Sequence, residues 1–325
     1  MRNTTTGITS VDRAMQIIRG ISQLSHNLPH PVVTIGNFDG VHIGHREIIE
    51  LVKAKALARG GSSVVYTFRP HPQATLSTAG AVSLLTTYDE KLEILAELGV
   101  DLVVEEPFTR EFSTIEPEQF FNDLILHRLS AEAIVVGYDF SFGKERKGRI
   151  PALQAFCNSA GVELTVVPPH RLEGEIVSST HVRQHLLAAE VEMAEPLLSR
   201  PFFYRGVVVR GEGRGRQLGF PTANLKLENK LTLPLGVYAS NAIFEGKAYP
   251  SVTNIGVRPT FYPDPEHQLP ALVETHLLDV NLNLYGNTLE VRFKKYLRPE
   301  QRFASIDGLK KQIALDSEEA RKLLT

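Results

Sequence analysis

The sequence predicts an α/β doubly wound parallel-sheet domain followed by a small β-barrel domain with C-terminal helices. Three observations lead to this fold class. The chain has 325 residues, which suits two domains of ordinary size. Strand and helix patterns alternate in its first half, as in parallel sheets that are covered by helices on both faces. In its second half, short strand patterns are separated by glycine, proline and asparagine, as in small closed barrels.

The alternation in the first half runs through five strand patterns and the helices between them. The strand patterns are short β-branched and apolar runs, and the helix patterns repeat apolar residues every three or four positions. The predicted strands are 31–35, 64–68, 102–104, 134–136 and 164–167, and the predicted helices follow Gly44 and cover 89–98, 117–129 and 151–160. Ligands of such sheets bind at the carboxyl ends of the strands.

A helical stretch at 180–198 closes the first pattern. The predicted strands beyond it are 204–210, 237–244, 251–255, 272–278 and 289–293, and the tail at 299–324 returns to helix. We expect Phe303, Ile306, Leu309 and Ile313 to form one stripe that packs against the barrel. These patterns predict a first domain at 1–185, a helical linker at 186–200 and a second domain at 201–325.

Composition and charge exclude several classes of partner. Lysine and arginine number 35 against 37 aspartates and glutamates, a net charge of −2, and no tract of like charges marks a nucleic-acid or membrane surface. The single cysteine, Cys157, excludes an intramolecular disulfide and a multi-cysteine metal site. No stretch has the apolar length of a signal core or a membrane span. We expect a cytoplasmic protein, a monomer or weak homo-oligomer, without nucleic-acid or membrane partners.

The first chemical motif is the turn after the first predicted strand, GNFDGVHIGH at 36–45. Glycines at a strand-to-helix turn let the backbone approach a phosphate, and the free amides of a helix start attract anions. His42 and His45 lie on one side of this turn and can donate hydrogen bonds to phosphate oxygens as negative charge develops. The structural alternative is a tight turn with two surface histidines. The position of the motif, after a strand and before a helix, favours a function.

Three more polar motifs of the first half stand where the same rule places ligand groups. They are TFRPHP at 67–72, VGYDFSFG at 136–143 and VSSTHVR at 177–183. Each has a structural explanation as well: a rigid proline turn, an aspartate turn at Asp139 and a helix N-cap near Ser178. Their occurrence in this order on one domain favours the functional interpretation.

The second half carries a glycine-rich segment at 211–224 and an acidic strand at 273–279. The glycine spacing matches neither a dinucleotide fingerprint nor a Walker loop. Thr222 and Asn224 alternate along an extended segment and offer neutral oxygens of the kind that hydrated Mg²⁺ accepts. Glu274 could take a proton from a hydroxyl that attacks a γ-phosphate. A glycine-rich hairpin and a solvent-facing glutamate are the structural alternatives.

Together these motifs resemble the family of bacterial bifunctional riboflavin kinase/FMN adenylyltransferases, the FAD synthetases. The turn at 36–45 is similar to the signature of their adenylyltransferase module, and the segments GRGRQLGFPTANL, VETHLLD and YLRPEQRF are similar to their kinase motifs. The resemblance covers nearly the whole chain. It implies that the second domain forms FMN and ADP from riboflavin and ATP. It implies further that the first domain forms FAD and pyrophosphate from FMN and ATP.

The resemblance also implies a set of site residues. The implied catalytic residues are Glu274, the general base of the kinase, and His42 and His45 of the adenylyltransferase. The residues implied to bind ATP and its phosphates are Gly36, Asn37, Phe38, Asp39, Gly40, Ser179, Thr180, Arg183, Gly213, Arg214, Gly215 and Gly219. The flavin contacts are Phe68, Pro70, His71, Asp139 and Phe140, with Arg298 as a weaker candidate. Thr222 and Asn224 are implied to bind the Mg²⁺ that accompanies ATP.

Two other functions stay open at this point. The first is a nucleotidylyltransferase for another phosphorylated small molecule with an accessory barrel. The magnesium and general-base motifs of the second half argue against it, because an accessory domain needs neither. The second is a tRNA-binding protein with the same histidine turn. The near-neutral charge without a basic stripe argues against that function.

Overall fold

The computed structural model describes residues 14–77, 82–211, 213–228, 230–257 and 271–324, with the side chains of Arg214, Val257 and Ala271 left aside. Within these ranges the chain forms two compact units. The first unit contains the residues up to 82 and those from 88 to 169. The second contains residues 83–87 and those from 170 onwards. The domain borders at 185 and 200 stay a prediction.

The core of the first unit is a parallel sheet. Its strands are β1 (Gln16–Ile18), β2 (Val32–Ile35), β3 (Ser63–Arg69), β4 (Leu102–Pro107) and β5 (Ala133–Gly137), then, after the short pair β6 (Ser141–Phe142) and β7 (Gly148–Arg149), β8 (Glu163–Val167). The sheet order is β1-β4-β3-β2-β5-β8, and all neighbours pair in parallel. Every residue of β2 is buried, as expected for a strand that is covered on both faces. The predicted doubly wound fold is confirmed.

Helices connect these strands. They are α1 (Ile43–Ala58), α2 (Pro72–Leu76), α3 (Tyr88–Glu97), α4 (Pro117–Gln119) and α5 (Ile150–Ala160), with 3-10 turns at Ile21–Gln23, Phe112–Thr114 and Lys144–Arg146. From β2 the chain moves to β3 and β4 on one side, and it then returns to β5 on the other side of β2. The loops after β2 and β5 therefore leave the same sheet edge in opposite directions. This reversal opens a crevice at the carboxyl ends of the two strands.

Two elements of the first unit differ from the prediction. The edge strand β1 precedes the strand that we predicted to be first, and its three residues are too few for a periodic signal. The predicted helix at 117–129 is one α-helical turn, α4, that continues as a π-helix at Phe120–Arg128. Phe120, Phe121 and Ile125 of this segment are buried. The spacing of apolar residues does not distinguish the hydrogen-bond pattern of an α-helix from that of a π-helix.

The second unit begins with a hairpin and two helices. These are β9 (Arg171–Leu172), β10 (Glu175–Ile176), α6 (Ser179–Leu187) and α7 (Val191–Leu198). The single helical stretch predicted at 180–198 is therefore interrupted. Ala189 has a φ of 63°, and this left-handed conformation cannot continue a right-handed helix. Ser199, with a φ of 58°, ends α7 in the same way.

A closed antiparallel barrel forms the body of the second unit and confirms the predicted architecture. Its strands are β11 (Phe203–Val209), β12 (Ala223–Leu227), β13 (Gly236–Phe244), β14 (Lys247–Val257), β15 (Ala271–Leu277) and β16 (Thr288–Arg298), and the short helix α8 (Arg214–Leu218) lies between β11 and β12. The strands close in the order β11-β12-β15-β14-β13-β16. The sequence predicts five of them. The sixth, β12, is predicted only as an extended segment around Thr222 and Asn224.

Aromatic rings fill part of the barrel interior. The Phe293 ring lies edge-on to Tyr204 and Tyr238, with centroids 5.0 and 5.3 Å away. Both tyrosines are buried, and their hydroxyls donate to the carbonyls of Leu231 and Pro234. Buried tyrosines need such partners, so the core is both apolar and hydrogen-bonded.

The C-terminal helix α9 (Ile306–Leu324) packs against β13 and β14. The predicted start at 299 is wrong, because the helix begins at Ile306. The predicted stripe is wrong at the same residue, since Ile306 is 64% exposed. The buried residues of α9 are Asp316, Ser317 and Ala320. Asp316 is buried because its carboxylate pairs with Arg298, with 2.7 Å between Oδ2 and Nη2. Apolar periodicity cannot reveal a face that is buried through an ion pair.

We expect Phe293→Ala to lower the free energy of unfolding of the second unit by about 3–5 kcal/mol, because the lost ring leaves a cavity among buried aromatic side chains. Urea denaturation followed by the near-ultraviolet signal of tyrosine measures the change. The control is Leu315→Ala on α9, where the side chain is 58% exposed and about 0.5 kcal/mol or less is expected. Equal losses in both variants would contradict this view of the core.

Candidate active sites

The turn after β2 has a strained backbone. Phe38, Gly40 and Val41 have φ values of 50°, 80° and 40°, in the left-handed region that favours glycine. Val41 is fully buried, so the surrounding packing holds a β-branched residue in this conformation. Strain of this kind is concentrated at functional sites. The turn leads directly into α1, with His42 as the N-cap residue.

The two histidines of the turn lie against each other. Their rings stack with centroids 3.6 Å apart, and Phe38 packs edge-on against His45 at 5.1 Å. The His42 Nδ1 accepts a hydrogen bond from the backbone N–H of His45 at 3.3 Å. Nδ1 is therefore an acceptor, and the proton of a neutral His42 ring is on Nε2. This arrangement fixes the orientation of both rings.

His45 is a neutral imidazole. Burial lowers the pKa of His45 well below its ordinary value, and the neighbouring His42 and the Lys91 ammonium lower it further. Its Nδ1 is buried and has no hydrogen-bond partner among the described residues. A buried nitrogen without a partner is costly, which is typical of a site that is completed by a ligand.

A buried ammonium group supports the turn from beneath. Lys91 on α3 donates to the Thr67 hydroxyl at 2.9 Å, and its Nζ lies 3.4 Å from the Asn37 carbonyl oxygen. Thr67 in turn donates to the same carbonyl at 3.2 Å. Burial lowers the pKa of Lys91 to about 8, although Glu105 and Asp39 favour its charged form. Lys91 thus joins α3 and β3 to the histidine turn.

Glu105 is the counter-charge of this cluster. Its side chain is 1% exposed, and its Oε2 lies 3.6 Å from the Arg69 Nη1. Neither carboxylate oxygen accepts a hydrogen bond within the part of the chain that the structure describes. The predicted site residue Asp39 is buried as well. The histidine turn therefore rests on a buried cluster of opposite charges.

The two aromatic residues predicted to contact flavin are the ends of one series of ring contacts. Phe68 contacts Phe112 at 6.0 Å, and Phe140 contacts Phe142 at 5.3 Å. Phe120 lies between, 6.2 Å from Phe112 and 5.6 Å from Phe142. Phe68 and Phe140 are half-buried. The series joins the carboxyl ends of β3 and β5 through an apolar wall.

The other predicted flavin contacts also stand at strand ends. Pro70 follows β3 through a cis peptide bond. His71 is the N-cap of α2, and its Nδ1 accepts from the Gln73 N–H at 3.2 Å. Its backbone N–H donates to the Tyr88 hydroxyl at 2.8 Å. Asp139 follows β5 and is exposed. Each lies at the sheet edge where the sequence places it.

The predicted phosphate residues Ser179, Thr180 and Arg183 lie on α6, in the second unit. The helix is capped by the Ser178 hydroxyl, which accepts from the His181 N–H at 3.2 Å. The Arg183 Nε donates to the Ser83 carbonyl at 2.9 Å. The predicted action of these three residues together with the histidine turn stays a prediction.

In the barrel, strand register sets three polar residues side by side. Asn224 on β12 pairs with Glu274 on β15, which pairs with Asn254 on β14. Directly paired residues present their side chains on the same face of a sheet. The adjacent residues Thr253 and Thr275 are fully buried inside the barrel and hydrogen-bonded at 3.0 Å. The Asn224–Glu274–Asn254 row is therefore on the outer face.

The glycine-rich segment packs onto this row. A Cβ atom at Gly211 would lie 2.5 Å from the Asn224 Nδ2, and one at Gly215 would lie 3.1 Å from the Thr222 Oγ1. Only glycine allows this approach. The segment is not the hairpin of the structural alternative, since it forms the short helix α8 between Gly213 and Gly219, both with positive φ. The predicted Arg214 side chain lies outside the described part of the chain.

A cleft opens beside Thr222. Arg216 and Thr222 form part of its polar wall, and Leu277, Leu284 and Tyr285 contribute to its apolar wall. The segment before Thr222 is held by His276, whose Nδ1 lies 2.8 Å from the Pro221 carbonyl oxygen. The apolar wall suits a planar ring that lies next to the neutral oxygen of Thr222.

Arg298, the weaker flavin candidate, is used in the fold. Its guanidinium donates to both oxygens of Asp316, and Gln312 donates to the same carboxylate at 2.9 Å. These contacts attach α9 to the end of β16. A flavin contact of Arg298 stays a prediction.

Sequence reasoning gave no site role to four polar residues of the two sites, although one of them, Glu300, lies in the YLRPEQRF segment. Lys91 and Glu105 each stand next to other charged residues in the sequence, and only the fold shows that these two meet beneath the histidine turn. Asn254 and Glu300 approach each other at 3.4 Å beside Glu274. Asn254 begins the segment NIGVRPTF at 254–261, which also resembles a riboflavin kinase motif, and its register opposite Glu274 places it in the row.

Two family models match successive parts of the chain. The family model of FAD synthetase matches residues 24–181, and that of riboflavin kinase matches residues 198–324. The bifunctional riboflavin kinase/FMN adenylyltransferase of Escherichia coli K12 is 41% identical over 310 residues, which cover 95% of this chain and 97% of that protein.

The chain belongs to the family of bifunctional riboflavin kinase/FMN adenylyltransferases.

One further relative has the same family description, and one solved structure with another description is similar along nearly the whole chain. The protein of Bacillus subtilis is 36% identical over 292 residues, 89% of this chain and 91% of that protein. A crystal structure described as a macrolide-efflux protein from Streptococcus pneumoniae has a TM-score of 0.85, with 29% identity over 95% of this chain and 99% of that one. Among the described residues, no helix is long and apolar enough to cross a membrane.

The buried ammonium of Lys91 makes stability depend on pH. Its pKa is about 8 in the folded chain against 10.5 for an ordinary lysine, so between these values the unfolded chain holds a proton that the folded chain has lost. Stability rises with pH where the unfolded state binds more protons. We therefore expect the unfolding free energy of the wild type, relative to that of Lys91→Met, to increase by about 1–3 kcal/mol from pH 7.5 to 10.

Denaturant unfolding at several pH values measures this difference. The control is Lys147→Met, because Lys147 is exposed and its pKa is raised by Glu145 rather than lowered. A difference between the wild type and Lys91→Met that stays constant with pH would show that Lys91 is not titrated in the folded chain.

Proposed function

We propose that the chain makes FAD from riboflavin in two successive reactions with separate sites. The second unit transfers the γ-phosphoryl group of ATP to riboflavin, which gives FMN and ADP. The first unit transfers the adenylyl group of a second ATP to FMN, which gives FAD and pyrophosphate. The observation that carries this proposal is that the histidine turn and the Asn224–Glu274–Asn254 row lie in different compact units.

In the kinase reaction, Glu274 acts as the general base. It takes the proton of the terminal ribityl hydroxyl while that oxygen bonds to the γ-phosphorus, and the bond to the β-phosphate oxygen breaks. Such displacements depend on positioning and charge neutralisation. Gly211, Gly213, Gly215 and Gly219 leave room for the phosphates, and the cleft at Tyr285 receives a ring of one substrate.

Thr222 and Asn224 fit a magnesium ion. They offer neutral oxygen ligands, and the close approach of Gly211 and Gly215 holds both side chains in place. Mg²⁺ commonly uses one or two protein oxygens together with phosphates and water. When bound, the ion neutralises charge on the β- and γ-phosphates. The protein residues hold ATP so that its γ-phosphorus faces the hydroxyl next to Glu274.

In the adenylyl transfer, an oxygen of the FMN phosphate attacks the α-phosphorus of ATP, and pyrophosphate leaves. His42 and His45 donate hydrogen bonds to α-phosphate oxygens as charge builds up on them, which is the main way such sites lower the barrier. The neutral state of His45 agrees with a role as hydrogen-bond donor. The strained turn from Gly36 to Gly40 brings backbone amides towards the nucleotide.

The remaining predicted residues have roles in the same reaction. Ser179, Thr180 and Arg183 bind the phosphates that leave as pyrophosphate. Phe68 and Phe140 flank the isoalloxazine ring of FMN, and Pro70, His71 and Asp139 orient it. We infer a cytoplasmic enzyme that is a monomer or weak homo-oligomer, without nucleic-acid or membrane partners. A nucleotidylyltransferase with an accessory barrel is not favoured, because the riboflavin kinase family matches the barrel itself.

Two sets of substitutions separate the reactions. Glu274→Gln should lower FMN formation from riboflavin by at least about 100-fold, since a general base contributes about 10²–10⁴, and should leave FAD formation from supplied FMN unchanged. His42→Ala with His45→Ala should give the reverse result. Chromatography of flavins after incubation with MgATP measures both reactions.

Each variant has an internal folding control, because each must retain the activity that its substitution does not affect. If either change removes both activities from a folded chain, the assignment of the two reactions to separate sites is wrong.

The contact of the glycine-rich segment with Asn224 can be tested separately. Gly211→Ala should displace the Asn224 amide and lower kcat/KM for MgATP in the kinase reaction by roughly 10- to 100-fold, because small misplacements of binding groups are costly. The matched control is Gly308→Ala on α9, where the nearest atom to the new Cβ is 3.3 Å away, the hydroxyl of Ser305. Unchanged kinase kinetics in Gly211→Ala would show that Asn224 does not bind MgATP.

A further inference from the structure

Two histidines of α6 form a compact pair outside both sites. His181 and His185 are four residues apart, so they lie on one face of the helix. Their Nε2 atoms are 3.1 Å apart, and their ring centroids are separated by 4.8 Å. Both side chains are half-buried, so they remain accessible to a small ion.

The outer nitrogens of both rings are already used. His181 Nδ1 lies 3.3 Å from the Ile176 carbonyl oxygen, and His185 Nδ1 lies 2.7 Å from the Glu190 Oε2. A carbonyl and a carboxylate can only accept, so each Nδ1 carries a hydrogen. In two neutral rings, both Nε2 lone pairs then face each other. This contact is unfavourable unless a cation, a proton or a metal ion, is shared between them.

The distances suit a metal ion. Bonds of about 2.05 Å from one ion to two nitrogens 3.1 Å apart enclose an angle of about 100°, between the octahedral and tetrahedral values. Histidines that bind metals almost always donate their other N–H to a carboxylate or a backbone carbonyl. His185 and His181 show one of each. The pair therefore has the outer partners of a metal site in addition to its inner spacing.

We propose that His181 and His185 bind one divalent transition-metal ion of the Zn²⁺ class through their Nε2 atoms. Imidazole suits zinc, copper and nickel, whereas magnesium prefers oxygen ligands. No group of three or more histidine, cysteine, aspartate or glutamate side chains in the described ranges is arranged to hold a metal. Water therefore completes the coordination, and the ion exchanges with solution.

The site is separate from the nucleotide residues of the same helix. Ser179 and Arg183 each precede one of the histidines by two positions, and two residues correspond to about 200° of rotation round a helix. Ser179 and Arg183 therefore lie on the opposite face, and Thr180, one position before His181, lies about 100° away from it. The ion would join α6 to the Ile176 strand end and, through Glu190, to the start of α7. Its expected effect is on the stability of this helix pair and not on either reaction.

The test uses the full chain, freed of metal with EDTA and desalted without nucleotide. In isothermal titration with Zn²⁺ at pH 7.5, the wild type should bind one equivalent more than His181→Gln or His185→Gln. Glu190→Gln should retain that equivalent with about tenfold weaker affinity, as is usual when an outer partner is lost. The control is His127→Gln. His127 is distant in sequence from His181 and His185, and its side chain is 70% exposed, so this variant should bind Zn²⁺ like the wild type.

A second measurement reports the ligands directly. Co²⁺ added to the wild type should give visible absorption bands that are lost in His185→Gln and retained in His127→Gln. Circular dichroism shows whether each variant is folded. The proposal is overturned if folded His181→Gln and His185→Gln bind the same number of Zn²⁺ ions with the same affinity as the wild type, or if the Co²⁺ bands persist in His185→Gln.

Discussion

One buried ammonium group supports the first site. Lys91 lies between α3 and the sheet and contacts Thr67 and the Asn37 carbonyl, where the chain leaves β2 and begins the histidine turn. Placing a charge there is costly, as its lowered pKa shows, and the cost is offset only because Glu105 and Asp39 lie close by. These contacts hold the start of the turn that contains the strained Val41 and the stacked histidines. A residue such as Val41 keeps a positive φ only when the surrounding structure holds it there.

The second site depends on strand register instead of buried charge. Asn224, Glu274 and Asn254 face outward side by side because three strands of a closed barrel pair in one register. A shift of one residue would turn Glu274 into the barrel, where Thr253 and Thr275 are now buried. Closure of the barrel makes such a shift impossible for one strand alone. The glycine-rich segment packs closely over Asn224 and Thr222 because Gly211 and Gly215 have no side chains there.

Sequence patterns were sufficient for the fold class and for the order of most elements, because buried parallel strands and barrel strands have distinct apolar patterns. They failed where structure depends on distant polar contacts. The face of α9 is set by Asp316 and Arg298, and the break between α6 and α7 is set by the backbone of Ala189. The histidine turn and the glycine segment were found because their residues are close in sequence. No site role was assigned to Lys91, Glu105 or Asn254, because they meet their partners only through the fold.

The most direct test of the central claim, that each reaction has its own complete site, is a mixing measurement. Glu274→Gln and the His42→Ala/His45→Ala chain are combined with riboflavin and MgATP, and FMN and FAD are followed over time. The account predicts that neither variant alone converts riboflavin to FAD, whereas the mixture does so, with FMN rising before FAD. A mixture in which the His42→Ala/His45→Ala chain releases FMN but no FAD forms from it would contradict the account, since the Glu274→Gln chain would then lack a complete adenylylation site.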